Sequence, residues 1–99
     1  MKPLKNKTFR LADNAEIVFW KNSFGCALIE NDEGRRSVVF APLGRILSKE
    51  KTLSYDAIKE AVCAVFVGGE NNSIFSENGL LVELSTLELL GLVVTEPLN

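Results

Sequence analysis

The stretch Phe24-Gly25-Cys26-Ala27-Leu28-Ile29-Glu30-Asn31-Asp32-Glu33-Gly34-Arg35-Arg36-Ser37-Val38-Val39-Phe40 decides the fold. Two largely apolar runs flank Asn31-Asp32-Glu33-Gly34, a segment of turn composition, which is the pattern of an antiparallel hairpin. If those four residues form the loop, Glu30 faces Arg35 as an opposite-charge cross-strand pair, and Phe40 faces Gly25. Toward the N-terminus, Ala15-Glu16-Ile17-Val18-Phe19-Trp20-Lys21 reads as another strand. Thr8-Phe9-Arg10-Leu11 is a fourth, with Phe9 and Leu11 on one face. Asp13-Asn14 between them fits a two-residue hairpin, because both residues tolerate positive φ. A four-stranded antiparallel meander is therefore expected.

Toward the C-terminus, Pro42 ends the fourth strand and residues 45–51 form a charged connector. Ser54 is a good N-cap and Asp56 complements a helix dipole in the first turn. Ile58, Ala61, Val62, Val65 and Phe66 then follow the spacing of a core-facing helical stripe. Gly68-Gly69 stops the helix, which is expected over about 54–67. Asn78-Gly79 between residues 73–77 and 80–84 signals a hairpin that sets Phe75 opposite Val82, although Leu80, Leu84 and Leu87 also fit a helical stripe. Ser85-Thr86-Leu87-Glu88 reads as a capping box that starts a short helix at about 86–90. Gly91 then sits at C′, with Leu92 against Leu87 in a Schellman ending. A last strand over 92–95 is stopped by Pro97. Strands followed by a helix indicate an α+β class. The expected architecture is the meander packed by one main helix, then a hairpin, a short helix and a last strand, in a single domain over 1–99.

The composition is globular: 99 residues, 46% apolar and 24% charged, with a net charge of −2. There is no histidine, which removes the commonest general base and metal ligand and every Ser–His or Cys–His nucleophile pair. Cys26 and Cys63 lack the spacing of a zinc site and sit in apolar runs. Buried free thiols in a reducing compartment are expected. No apolar segment follows the basic start Met1-Lys2-Pro3-Leu4-Lys5-Asn6-Lys7, and no apolar run reaches the ~18 residues of a membrane span. A cytoplasmic chain without a membrane segment is the expectation.

The small net charge conceals a division. Residues 1–51 carry ten basic and six acidic groups (+4), and residues 52–99 carry one basic and seven acidic groups (−6). Either the halves pair internally or the first presents a basic patch to an anionic partner.

Catalytic groupings are sparse. Glu30, Asp32 and Glu33 crowd one turn without the spacing of an EF-hand loop, and read as a solvated hairpin tip. Tyr55 and Lys59 form an i, i+4 pair at the helix start and read as a surface pair. Gly68-Gly69 follows a helix, where a phosphate cradle would precede one. No catalytic residue, metal ligand or cofactor is expected.

Two binding readings remain. Phe19, Trp20, Phe24, Phe9 and Phe40 are interleaved with basic residues, the combination by which sheets hold single-stranded nucleic acid. Lys2, Lys5, Lys7, Arg10, Lys21, Arg35 and Arg36, with Trp20 or Phe24 stacking, would make that site. Residues 20–30 resemble the cold-shock pattern, in which a tryptophan strand precedes a Phe-Gly-Phe-type strand. Cys26 and Ala27 stand where that pattern carries exposed aromatic residues, and no histidine follows Val38-Val39-Phe40, so no family is assigned.

The other reading is protein association. Phe19 and Trp20 point to opposite faces of a strand and cannot both enter a one-sided core. Trp20 shares its face with Val18 and Glu16. The run from Ala61 to Val67 carries no charge on any side, and the C-terminal third is rich in leucine. Trp20, Val65, Phe66, Val67 and Leu81 are the expected interface residues. The sequence is therefore read as a small non-enzymatic binding or regulatory module that acts through a protein partner or a second copy of itself. The single-stranded nucleic-acid binder is the alternative.

Overall fold

The computed structural model describes residues 4–19, 26–67 and 77–98. A single turn of 3-10 helix (Leu4–Asn6) leads into β1 (Lys7–Leu11), β2 (Ala15–Phe19), β3 (Cys26–Asn31) and β4 (Arg36–Phe40). Then come α1 (Ala41–Ile46), β5 (Leu53–Ser54), α2 (Tyr55–Val67), α3 (Glu77–Leu89) and β6 (Val93–Pro97). The class is α+β, as expected, but the strands form two three-stranded antiparallel sheets, ordered β5-β1-β6 and β2-β3-β4.

The meander thus holds for three strands, and β1 leaves it. A two-residue hairpin of the expected kind needs positive φ at both central residues. Among the described residues, no residue other than glycine has positive φ. The Asp13-Asn14 turn is closed by the Ala15 N–H donating to the Ala12 carbonyl at 3.0 Å. A turn without positive φ splays the two strands instead of pairing them. The chain then passes from one sheet to the other. The Leu11 N–H goes to the Ser48 carbonyl (2.9 Å) and the Ala12 N–H to the Leu92 carbonyl (3.0 Å).

The β3–β4 hairpin forms one residue tighter than expected. Asn31 pairs with Arg35 through its N–H (3.0 Å to the Arg35 carbonyl), leaving Asp32-Glu33-Gly34 as the loop. Gly34 takes φ +85, the left-handed residue of a three-residue hairpin loop. The Asn31 Oδ1 accepts from the N–H groups of Glu33 and Arg35, both at 3.0 Å. The shift sets Glu30 opposite Arg36 instead of Arg35, and Phe40 opposite Cys26 instead of Gly25.

Helix α2 starts as its cap predicts; Gly68-Gly69 and the side chains of Val65 and Phe66 lie outside the described residues. The Ala57 N–H donates to the Ser54 Oγ at 3.1 Å, and Ile58 and Val62 are buried. Ala64 is exposed, so the uncharged second half of this helix is not buried all round. Over the described residues the expected second hairpin is replaced by one continuous helix, 77–89, with Asn78-Gly79 in its first turn, while Phe75 lies outside the described residues. Leu80, Leu84 and Leu87 are its buried residues. Burying each leucine stabilises by roughly 1.5–3 kcal/mol, which together outweighs a local turn preference. Thr86 is mid-helix, and its hydroxyl donates to the Val82 carbonyl (2.9 Å) instead of capping.

The C-terminal end of α3 is as expected. Gly91 has φ +75, the Leu92 N–H donates to the Leu87 carbonyl (2.9 Å), and the Gly91 N–H donates to the Glu88 carbonyl (3.1 Å). These are the two bonds of a Schellman motif. One apolar cluster joins both sheets to the helices, with Phe9, Ile29, Leu43, Tyr55, Ile58, Leu84, Leu87 and Leu92 fully enclosed.

Three substitutions test this arrangement. Leu84→Ala should cost about 2–5 kcal/mol, whereas Val82→Ala, on the exposed side of α3, should stay within about 0.5 kcal/mol. Gly91→Ala meets no neighbouring atom but forces a left-handed alanine, and should cost about 1–2 kcal/mol. Urea midpoints at unchanged m-value measure all three.

Candidate functional site

The β2-β3-β4 sheet has one face in the core and one outside. Ile17, Ile29 and Ser37 lie in register across the inner face, and Ala27 opposite Val39 extends it. On the outer face Val18, Leu28 and Val38 form a row across all three strands, and Cys26 pairs with Phe40 beside it. Val18 is 40% exposed, and Val38 and Phe40 are each 49% exposed. Leu28 and Cys26 are half-buried. Glu16, Glu30 and Arg36 make the next row and border the apolar surface.

This surface arises because each strand carries an apolar doublet: Ile17-Val18, Leu28-Ile29 and Val38-Val39. Alternation sends one member of each doublet inward and the other outward. Those doublets were the available sequence signal. Only the register shows that their outward members line up.

Of the interface residues read from the sequence, Trp20 lies outside the described residues, and the side chains of Val65, Phe66 and Val67 do as well. Leu81 is half-buried and packs against the core. The exposed apolar residues of α3 are Val82 and Leu89. Cys26 and Cys63 are free. Each is half-buried, not fully enclosed as expected, and Cys26 lies on the outer sheet face.

The basic residues are dispersed, and several are paired. The Lys7 Nζ donates to the Glu88 Oε2 at 2.8 Å, and the Arg10 guanidinium reaches Asp13 at 2.8 Å. Lys5 and Lys59 both approach the Glu77 Oε2, at 3.4 and 3.3 Å. Arg35 and Arg36 are exposed on the β3–β4 hairpin. Lys2, Lys21 and Phe24 lie outside the described residues. Lys5 and Lys7 of the basic half thus pair with Glu77 and Glu88 of the acidic half.

Tyr55 is not a surface residue. It is buried, and its hydroxyl donates to the Glu77 Oε2 at 2.7 Å. Burial, followed by the bond to Glu77, pushes its pKa well above the ordinary 10.0. The same bond, with Lys59 and Lys5 nearby, holds the Glu77 carboxyl below its ordinary range. Glu88 is lowered by Lys7 and by the Thr95 hydroxyl, which donates to it at 2.6 Å. A tyrosine with a raised pKa holds its proton, so the cluster fastens the start of α3 to α2 and the N-terminal turn.

A cleft of about 380 Å³ is lined by Asp13, Glu16, Glu30 and Asp32 with Asn14, Asn31 and Lys49. Four of these seven side chains are already engaged. The Asn14 Nδ2 donates to the Asp32 Oδ1 (2.8 Å), Asn31 closes its own loop, and Asp13 holds Arg10. Among the described residues no group of three or more His, Cys, Asp or Glu is arranged to hold a metal ion. None of the described helices is long and apolar enough to cross a membrane.

Glu83 on α3 is half-buried, and its Oε1 is enclosed without a hydrogen-bond partner among the described residues. Burial pushes its carboxyl above the ordinary range, and a backbone bond from Phe40 pulls the other way. Comparison of the chain with protein-family models, curated proteins and solved structures finds no match in any of the three.

These carboxyls give stability opposite dependences on pH. Glu77 and Glu88 bind protons less readily when folded, so what they contribute is present above the ordinary carboxyl range and lost as pH falls through their lowered values. Glu83 binds its proton more readily when folded, so stability declines as pH rises from its ordinary 4.5 through its raised value. Glu83→Gln should therefore be more stable than the natural chain at pH 7. The difference should vanish below about pH 4.5. Denaturant midpoints between pH 4 and pH 8 follow it.

Proposed function

We propose that this chain is a small non-enzymatic binding module of the cytoplasm that presents the outer face of β2-β3-β4 to another protein or to its own copy. The observation that carries the reading is the in-register row of Val18, Leu28 and Val38 with Phe40 beside it, in which Val18, Val38 and Phe40 are exposed. Contiguous apolar surface rimmed by charged residues is characteristic of protein contact sites. Glu16, Glu30 and Arg36 supply such a rim. The free thiols of Cys26 and Cys63 suit a reducing compartment.

Of the basic residues that the nucleic-acid alternative draws on, Lys5, Lys7 and Arg10 are engaged in ion pairs, while Arg35 and Arg36 are exposed on the β3–β4 hairpin. The ion pairs favour the protein-contact reading.

A photo-crosslinking residue placed at Val38 should give protein adducts in cells, and the same residue at the exposed Glu60 of α2 should not. Adducts at neither position, or equally at both, would remove the outer face as an interaction site.

A further inference from the structure

The free edges of the two sheets are not alike. β5 is only two residues long. β6 contains Pro97, which has no N–H to offer, and α3 packs against it. β4 is met by α3, with the Glu83 carboxyl against the Phe40 backbone. Short length, proline and inward-pointing charge are the devices that keep sheet edges from pairing with other chains. The β2 edge, Ala15-Glu16-Ile17-Val18-Phe19, contains neither lysine nor proline. Among the described residues β2 pairs with β3 alone.

The pattern of its free groups follows from the ladder. The Asp32 N–H donates to the Asn14 carbonyl, which makes Asn14 and Asp32 a hydrogen-bonded pair. In an antiparallel ladder such pairs alternate, so Glu16 and Val18 turn their backbone groups toward Glu30 and Leu28 of β3. Ile17 and Phe19 turn theirs toward the free edge.

We propose that two copies of this chain join through β2, antiparallel, about a two-fold axis at Val18, so that two three-stranded sheets become one six-stranded sheet. The inference goes beyond the outer-face reading and can fail without it.

The occupant is a second copy because, of the axes at Glu16, Ile17 and Val18, the one at Val18 makes the edge complementary to itself. An axis at Glu16 would set Glu16 against the partner's Glu16, where like charges repel. At Ile17, Glu16 would face the partner's Val18, and Ala15, whose N–H is already given to Ala12, would have to pair with the partner's Phe19. With the axis at Val18, the Ile17 N–H and carbonyl meet those of the partner's Phe19, and the reverse holds at the other end. Val18 then faces the partner's Val18 in a close, non-hydrogen-bonded pair. The row of Val38, Leu28 and Val18 continues through the axis into the same row of the second copy, which doubles the apolar outer face. A two-fold contact of this kind is closed and leads to a dimer.

The test uses the purified full chain, with mass measured by sedimentation from micromolar to millimolar concentration. A concentration-dependent dimer is expected, and Val18→Lys should raise its dissociation constant roughly tenfold or more by setting like charges across the axis. Val18 points outward, so circular dichroism and the unfolding midpoint should show a folded monomer. In a Cys26→Ser, Cys63→Ser background, Val18→Cys should form an intermolecular disulfide on mild oxidation, because this pair brings the Cβ atoms within about 4.5–5.5 Å. Glu16→Cys should not. A monomer at every concentration overturns the proposal. So does a dimer that survives Val18→Lys, or one abolished by Val38→Lys alone, which would place the contact on the face and not at the edge. A monomeric purified chain that still gives Val38 adducts to a different protein would overturn the dimer and leave the outer-face reading standing.

Discussion

Strand β1 commits its backbone to residues far along the chain, and most of the architecture follows from that. It lies between β5 and β6, so both of its edges are occupied. Just beyond it, Leu11 and Ala12 give their N–H groups to Ser48 and Leu92. Phe9 and Leu11 are thereby held in the core, against Leu92 and Val93 from near the chain's end. A strand used on both sides cannot also pair with its neighbour in sequence. β2 therefore begins a separate sheet, and its outer edge has no strand beside it among the described residues.

Size then shapes the surface. A small domain buries a smaller share of its chain than a large one, because surface scales unfavourably with volume. The core takes one face of β2-β3-β4, and the other face remains outside with apolar side chains on it. Val18, Leu28 and Val38 are there because each follows or precedes an inward apolar residue, not because their own burial stabilises the fold. The same economy bears on charge. The split into a basic and an acidic half is partly resolved within the molecule, where Glu77 gathers Lys5, Lys59 and the Tyr55 hydroxyl, and Glu88 takes Lys7.

Local signals were legible wherever a short-range interaction decides the outcome. Ser54 caps α2, Gly91 ends α3 in a Schellman motif, and Gly34 turns the β3–β4 hairpin. They failed where two local preferences competed. Asn78-Gly79 is a hairpin signal, yet Leu80, Leu84 and Leu87 bury together only on a helix. Asp13-Asn14 makes a turn as read, but one without positive φ, which leads away from its expected partner strand. The candidate site was half legible. The apolar doublets were in plain view, but the one-residue tightening of the hairpin, and with it the alignment of Val38 with Leu28 and Val18, was not.

The sequence by itself determined the α+β class, the main helix with its cap, the end of α3 and the lack of any imidazole chemistry. These depend on residue type and on spacings of a few residues. The tertiary structure decided which strands pair, that residues 77–89 are one helix, that Tyr55 is buried against Glu77, and which apolar residues remain outside. Each of those depends on contacts between residues far apart in the chain. Pairing β1 with β6 sets Phe9 beside Thr95, a choice made by the shared core and not by any stretch of sequence read alone.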